Sequence, residues 1–231
     1  MTLQLTPWQN PPSELEFTSD TVHLWRFQLT SQNSLEHLLN EEELQRAERL
    51  RIPEKARAFV VARARLRQIL AGYLALDPQS LRFTYGSSGK PALIGMVDAP
   101  IFNLAHSGNW GVCAVVKSGE VGVDIETLHT ELDYAKLAER FFSTAEKKCL
   151  QECPPYRRRR LFYRIWTRKE AWLKGKGGGF SDSDQDIGPV HLAGSCTYDG
   201  NWWLRSFPVA RNYLATLAVS QEFRVLQRWD V

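Results

Sequence analysis

From Pro53 onward the apolar residues Phe59, Ala62, Leu66, Ile69, Leu70 and Tyr73 recur at three- and four-residue steps, which predicts a long helix running to about Leu76. Proline suits the first turn of such a helix, where its missing N–H costs nothing. An amphipathic helix of this length needs an apolar surface to pack on, and the chain supplies strands for it. Upstream lie a strand over 22–29 and a helical stretch opened by Glu41–Glu43. Beyond Asp77-Pro78 the pattern changes to short strands over 81–85, 101–104 and 111–116, with the loop Gly86–Pro91 between the first two. The same order then returns. A strand over 120–126 leads to a helical region over 134–150, a basic turn at Arg157–Arg160 and a second strong helix over 161–174. Past Gly175–Gly179, strands are expected over 190–192, 202–207 and 213–219. A long helix followed by several strands, met twice, reads as an α+β fold of two similar lobes, although no residue-level repeat accompanies it. The expected division is a lead-in over 1–20, an N-terminal lobe over 21–118 and a C-terminal lobe over 119–231. The length of 231 residues, against about 150 per domain, fits neither one domain nor two ordinary ones.

Composition narrows the class. With 43% apolar and 24% charged residues the chain is ordinary globular material, which excludes disorder and collagen-like repeats. The 29 basic and 26 acidic residues leave a net charge of only +3, too weak a field for a dedicated nucleic-acid binder. An acidic partner must therefore meet a local basic patch. No apolar run approaches the roughly 20 residues of a membrane helix, and Met1–Pro12 lacks the basic-then-apolar pattern of a signal peptide. Cys113, Cys149, Cys153 and Cys196 show no disulfide or zinc spacing, so they read as reduced thiols. The expectation is a soluble, cytoplasmic protein without membrane or nucleic-acid partners.

Three segments carry chemistry. In the strand Val121-Gly122-Val123-Asp124-Ile125-Glu126 the period of two puts the β-branched residues on one face and Gly122, Asp124 and Glu126 on the other. The carboxylates lie about 7 Å apart along such a strand. They either sit solvated at a strand end or converge on one hard cation, with the glycine leaving room for a bulky ligand. Oxygen ligands of this kind favour magnesium, which takes further ligands from water and substrate phosphates. In Trp166-Thr167-Arg168-Lys169-Glu170-Ala171-Trp172-Leu173-Lys174, helical geometry stacks Trp166, Glu170 and Lys174 on one face. That is either a structural ion pair, or a metal ligand or general base beside a cation for phosphate oxygens. In Phe102-Asn103-Leu104-Ala105-His106-Ser107-Gly108, a histidine and serine at a strand end can direct donors at an anion or simply close a turn. No P-loop or dinucleotide-binding glycine fingerprint is present.

Taken in order, Gly89-Lys90-Pro91, Phe102–Gly108, Gly122–Glu126 and Trp166–Lys174 resemble the motifs of the 4′-phosphopantetheinyl transferases of the Sfp type. The resemblance runs from about Arg49 to Phe180, and the chain length suits the long, monomeric branch of that superfamily. It implies two similar α+β lobes in one chain with a cleft between them. It also implies a reaction: the phosphopantetheine arm of coenzyme A passes to a serine of an apo acyl or peptidyl carrier protein, releasing adenosine 3′,5′-bisphosphate.

The resemblance further implies Asp124, Glu126 and Glu170 as ligands for Mg2+, with Mn2+ as an alternative ion. Glu170 is also the candidate acceptor of the serine proton, Lys174 the stabiliser of the departing phosphate, and His106 a third catalytic residue. Lys90, Pro91, Ser107, His106 and Lys174 would bind coenzyme A, together with Arg49, Arg51 and Arg57. Thr167 stands where serine or cysteine is more usual. Carriers of this class present an acidic helix, so Arg157–Arg160, with the stretch around Phe141 and Phe142, is expected to help dock the carrier. The same carboxylates and cations also suit a magnesium-dependent nucleotide pyrophosphate hydrolase, and a basic scaffold would need neither Asp124 nor Glu170.

Overall fold

The computed structural model describes residues 6–30, 34–87, 89–129, 133–178, 196–199 and 202–231. The fold is mixed α+β, in two compact units: one formed by the chain up to Ser118 together with Phe223–Val231, the other by Gly119–Glu222.

In the first unit, β1 (Thr21–Gln28) lies inside a four-stranded sheet of order β10-β1-β5-β4, with β4 at Ile101–Ser107, β5 at Trp110–Val116 and β10 at Val225–Asp230. β1 pairs antiparallel with β5 and parallel with β10. The last nine residues therefore belong to this unit and not to the C-terminal lobe expected from the sequence. The alternation in Val225-Leu226-Gln227-Arg228-Trp229-Asp230 is irregular, and Leu226 and Trp229 are buried because β1 already offers an open edge. Two helices follow β1. α1 (Glu41–Glu48) opens with a capping box in which the Asn40 side chain accepts from the Glu43 N–H and Glu43 accepts from the Asn40 N–H. α2 (Pro53–Leu74) starts with its proline in the first turn and ends on Ala75, which adopts a left-handed conformation at φ 51°. Its apolar stripe of Val61, Leu66, Ile69 and Leu70 packs with Trp25, Phe27, Phe102, Val115 and Trp229 into one core. The small hairpin β2 (Phe83–Tyr85) and β3 (Pro91–Leu93) carries the glycine-rich loop at its tip.

In the second unit, β6 (Val121–Thr127), β7 (Cys196–Asp199), β8 (Trp202–Ala210) and β9 (Tyr213–Val219) form an antiparallel sheet of order β6-β9-β8-β7. The helical region after β6 is three helices: α3 (Tyr134–Phe141), α4 (Thr144–Glu152) and α5 (Pro155–Gly175). α3 stops at Phe142, whose backbone is extended, and Ser143 opens α4 with a second capping box to Glu146. α5 begins well before the expected Leu161. Pro155 stands in its first turn, and Arg158 donates to the carbonyls of Gln151 and Cys153 at the end of α4. Arg157–Arg160 are consequently helical rather than a turn. α5 lies along β6, β9 and β8. The strand expected over 190–192 falls outside the described residues. No helix among the described residues is long and apolar enough to cross a membrane.

Candidate active site

The site is built where α5 crosses β6. Gly122 makes that crossing possible: a methyl group at its Cα would fall 1.9 Å from the Ala171 carbonyl oxygen and 2.4 Å from the Gly175 nitrogen. Gly175 answers from the helix, where a methyl would meet the Trp202 ring at 2.6 Å. The space at Gly122 is thus filled by helix backbone, which corrects the expectation of room for a ligand. The expectation of one core face and one open face on β6 also changes. Every residue from Val121 to Ile125 is buried, because α5 covers the face that bears Gly122 and Asp124. Alternation in the sequence cannot distinguish a face covered by solvent from one covered by a helix.

This close approach brings together the residues expected at the centre of the chemistry. Asp124 is only 4% exposed, and its Oδ1 accepts from the Lys174 ammonium at 2.5 Å. Lys174 also lies 4.0 Å from Glu170, one helical turn away on the same face. Glu126, further along the strand and half-buried, adds to the field at Lys174. Burial pushes the Asp124 carboxyl above the usual aspartate range, against the opposing pull of Lys174. Glu170 is raised too, first by burial, with Asp124 adding repulsion and Lys174 opposing. For Lys174, burial favours the neutral amine, but Asp124, Glu170 and Glu126 together hold the ammonium charged and raise its pKa.

Two observations bear on a metal. Asp124 Oδ2 is buried and makes no hydrogen bond, a costly state for a carboxylate oxygen unless a cation or ligand reaches it. Among the described residues, however, no group of three or more His, Cys, Asp or Glu side chains is placed to hold a metal ion. With Lys174 on Oδ1, an ion at Asp124 Oδ2 would draw most of its shell from water and substrate, as magnesium does.

Beneath these groups lies a polar network that sequence reasoning passed over. Thr216, opposite Asp124 in the sheet register, shares hydrogen bonds with Thr167 at 2.8 Å and Ser206 at 2.9 Å. Arg168 Nε donates to the same Ser206 at 3.1 Å. Thr167, where serine or cysteine is more usual, is fully buried and serves to tie α5 to the strand beside Asp124. The residue after Arg168, Lys169, forms a buried ion pair with Glu146 of α4 at 2.7 Å. Polar residues on three sides of a helix read as a solvated helix, whereas Thr167, Arg168 and Lys169 are all fully buried.

The remaining predicted residues lie in the first unit. Lys90 and Pro91 end the hairpin loop, where the Gly86 N–H donates to the Lys90 carbonyl at 3.0 Å. His106 and Ser107 close β4, opposite Gly111 and Trp110 of β5, with β3 lying against β4. His106 is exposed, and Lys90 and Ser107 are half-buried. Arg49 and Arg51 are exposed around the end of α1, and Arg57 lines a separate surface pocket of about 660 Å³ with Glu48 and Pro53. Of the pair expected near the docking surface, Phe142 is core, 5% exposed and stacked on Phe162 with ring centroids 5.2 Å apart. Phe141 packs edge-on against Trp166.

Residues 120–217, which include β6, α5 and the strands under them, match the family model described as the 4′-phosphopantetheinyl transferase superfamily. The chain is 39% identical to the 4′-phosphopantetheinyl transferase HetI of Nostoc sp. over 184 residues, 77% of this chain and 78% of that protein. It is 42% identical to slr0495 of Synechocystis sp., provisionally named as the same enzyme, over 72% of this chain and 70% of that one. The 4′-phosphopantetheinyl transferase Sfp of Bacillus subtilis is more distant, 31% identical over 62% of each chain. With that extent of similarity, and with the motif-bearing strand and helix joined at one buried acidic site, the chain belongs to the 4′-phosphopantetheinyl transferase superfamily and is an enzyme of that class.

Proposed function

We propose that this enzyme moves the 4′-phosphopantetheine arm of coenzyme A onto a serine hydroxyl of an apo acyl or peptidyl carrier protein, in a magnesium-dependent reaction. The serine Oγ–phosphorus bond forms as the pyrophosphate bond breaks. The pantetheine-bearing phosphate stays on the carrier, adenosine 3′,5′-bisphosphate leaves, and the serine proton passes to a base. The observation that carries the reading is the buried Asp124 carboxylate, with one oxygen on Lys174 and the other unpartnered, in the segment that matches the family.

Asp124, Glu126 and Glu170 would hold Mg2+, or Mn2+ in its place, and the ion would supply charge neutralisation at the pyrophosphate. Glu170 has a raised pKa and a half-buried carboxylate, which suits it to accept the serine proton, directly or through a water. Lys174 keeps its charge and donates to the departing phosphate. His106, Ser107, Lys90 and Pro91, with Arg49, Arg51 and Arg57, are read as contacts for the nucleotide end. His106 is the third catalytic candidate, as a donor to a phosphate.

We assign the chain further to the long, monomeric Sfp-type branch and to the cytoplasm. The support for two related lobes is connectivity. In the first unit a strand, β1, precedes the helices α1 and α2, and β5 then lies between β1 and β4; in the second a strand, β6, precedes the helices α3 to α5, and β9 then lies between β6 and β8.

Incubation with coenzyme A, Mg2+ and a panel of apo carriers, read by mass spectrometry, tests the reading. A carrier heavier by one phosphopantetheine, formed only while divalent cation is present, is the expected result. Free phosphopantetheine with an unmodified carrier would instead establish a pyrophosphate hydrolase and overturn the transfer.

A further inference from the structure

Glu43, Arg63 and Tyr85 form a chain of contacts that runs from α1 through α2 to the hairpin of β2 and β3. Arg63 is 6% exposed, and its guanidinium donates in two directions: Nε to Glu43 Oε1 at 2.5 Å, and Nη2 to the Tyr85 hydroxyl at 2.7 Å. The same guanidinium lies over the Phe83 ring, 4.2 Å from its centroid, and 5.6 Å from that of Tyr85. Phe83 and Tyr85 are two residues apart on β2, so they share one face of the strand, and that face rests on Arg63. One turn along α2, Arg67 also holds Glu43 and donates to the carbonyls of Pro78 at 2.6 Å and Leu81 at 3.2 Å. Two arginines of one helix thus grip β2 ahead of its first residue and at its last, and Glu43 fixes both.

The hairpin depends on that grip. Its strands pair only Phe83 with Leu93, Thr84 with Ala92 and Tyr85 with Pro91, in a two-stranded sheet apart from the larger one. A ribbon of that size is marginal by itself, so its position is set by what it rests on. Beyond Tyr85 the chain turns at once. The Gly89 N–H donates to the Gly86 carbonyl at 2.9 Å and the Gly86 N–H to the Lys90 carbonyl at 3.0 Å. Tyr85 and Pro91 are therefore the last pair before the turn, and Lys90 is the residue inside it. Tyr85 is 40% exposed, yet its hydroxyl bonds a buried guanidinium rather than solvent alone, and a charged donor makes the stronger bond.

We propose that Arg63 and Tyr85 are positioning residues for coenzyme A: they fix the root of the turn so that Lys90 is already in place for the phosphates of the nucleotide end. Ordering that is present before binding does not have to be supplied by the ligand, so the effect falls on affinity and not on the transfer step. Neither residue is itself a contact. The inference rests on the transferase reading only in taking coenzyme A as the ligand of Lys90.

Calorimetric titration with coenzyme A, Mg2+-dependent transfer to an apo acyl carrier protein and amide hydrogen exchange test it on wild type, Tyr85→Phe, Lys90→Ala and the double variant. Tyr85→Phe removes one hydroxyl at an exposed site, so its Tm should stay near wild type. Its Kd and KM for coenzyme A should rise about three- to tenfold, the size of one lost hydrogen bond, while kcat and the carrier KM hold. In the ligand-free protein the Gly86 and Gly89 amides should exchange faster. Lys90→Ala should weaken coenzyme A binding by itself, and adding Tyr85→Phe should weaken it little further, because the two act through one group. Arg63→Lys keeps a charge on Glu43 but lacks the fork that reaches Tyr85 at the same time. It should reproduce the loss of coenzyme A affinity, and it keeps the test open if Tyr85→Phe does not fold. Unchanged affinity in Tyr85→Phe, or losses that add in full in the double variant, overturns the positioning role and leaves the transferase intact. A silent Lys90→Ala overturns it as well. Wild type that binds coenzyme A but modifies no carrier overturns the transfer and not the positioning, and wild type that binds no coenzyme A overturns both.

Discussion

Glu43 and Asp124 are equally hidden, each 4% exposed, yet their surroundings differ in kind. Glu43 in α1 is satisfied at both oxygens: Oε1 accepts from Arg63 at 2.5 Å, and Oε2 accepts from Arg67 at 2.7 Å and from the Asn40 N–H at 3.1 Å. Burial pushes its carboxyl upward, but the two arginines outweigh it and hold the group below the ordinary glutamate value. Asp124 has one cation on one oxygen and nothing on the other, and burial holds it above the ordinary aspartate value. Burial alone therefore does not mark a carboxylate kept for chemistry. Nor does an unmet oxygen beside a lysine, since Glu146 leaves Oε1 unmet in its ion pair with Lys169; what sets Asp124 apart is that Glu170 and Glu126 act on the same ammonium.

The sharpest way to break this contrast is to remove each acid in turn. Asp124→Ala should lower the transfer rate by about a thousandfold or more, as loss of a ligand for a charge-neutralising ion does. Glu43→Gln should keep kcat within about threefold, since it touches only structural arginines. Equal losses in the two, measured by single-turnover mass spectrometry, would end the distinction. Stability should rank them the other way. Glu43→Gln leaves two buried guanidiniums short of a counter-charge and should cost about 3–5 kcal/mol in urea unfolding, whereas Asp124→Asn should cost less than about 1 kcal/mol.

Gly122→Ala should cost about 1–3 kcal/mol by forcing α5 off β6, and its activity should fall along with its stability. Activity lost at unchanged stability would mean that the glycine faces ligand rather than helix.

The smallest effect is on pH dependence. The depressed Glu43 contributes stability that is present above its unfolded value of 4.5 and is lost as pH falls through its lower folded value. The raised Asp124 does the reverse: its contribution is complete below 3.8 and is lost as pH rises through its higher folded value. Between about pH 6 and 3, Glu43→Gln should therefore flatten the acid-side decline in stability and Asp124→Asn should steepen it. Profiles that shift in the same direction would contradict the opposite signs.

How far the sequence could be read depended on which physical effect each residue obeyed. Helix periodicity placed α2, and strand alternation with turn residues placed β1, β5, β6 and β9, because these signals are local. Asp124, Glu170 and Lys174 became candidates only through the order of four motifs that resemble one family, because locally they read equally as a solvated strand end and a structural ion pair. What escaped reading depended on partners distant in sequence. β10 is a strand because β1 has a free edge two hundred residues earlier. Arg157–Arg160 look like a turn because charge dominates the run, yet Pro155 and the open carbonyls of α4 make them helix. Arg164 carried no motif, and only the fold sets it one turn beyond Arg160 on the wall of the same pocket.

The parallel pairing of β10 with β1 also bears on how the protein is made. Chains leave the ribosome at about 5–20 residues per second, so some 5–20 s separate the last helix and strands of the first sheet from the strand that completes it. Gly119–Glu222 are contiguous and can close as soon as β9 emerges. The N-terminal sheet must wait with the edge of β1 uncovered, an interval in which another strand could add to it. A folding helper, or a slow codon in the stretch that encodes β10, would thus act on the unit that is synthesised first.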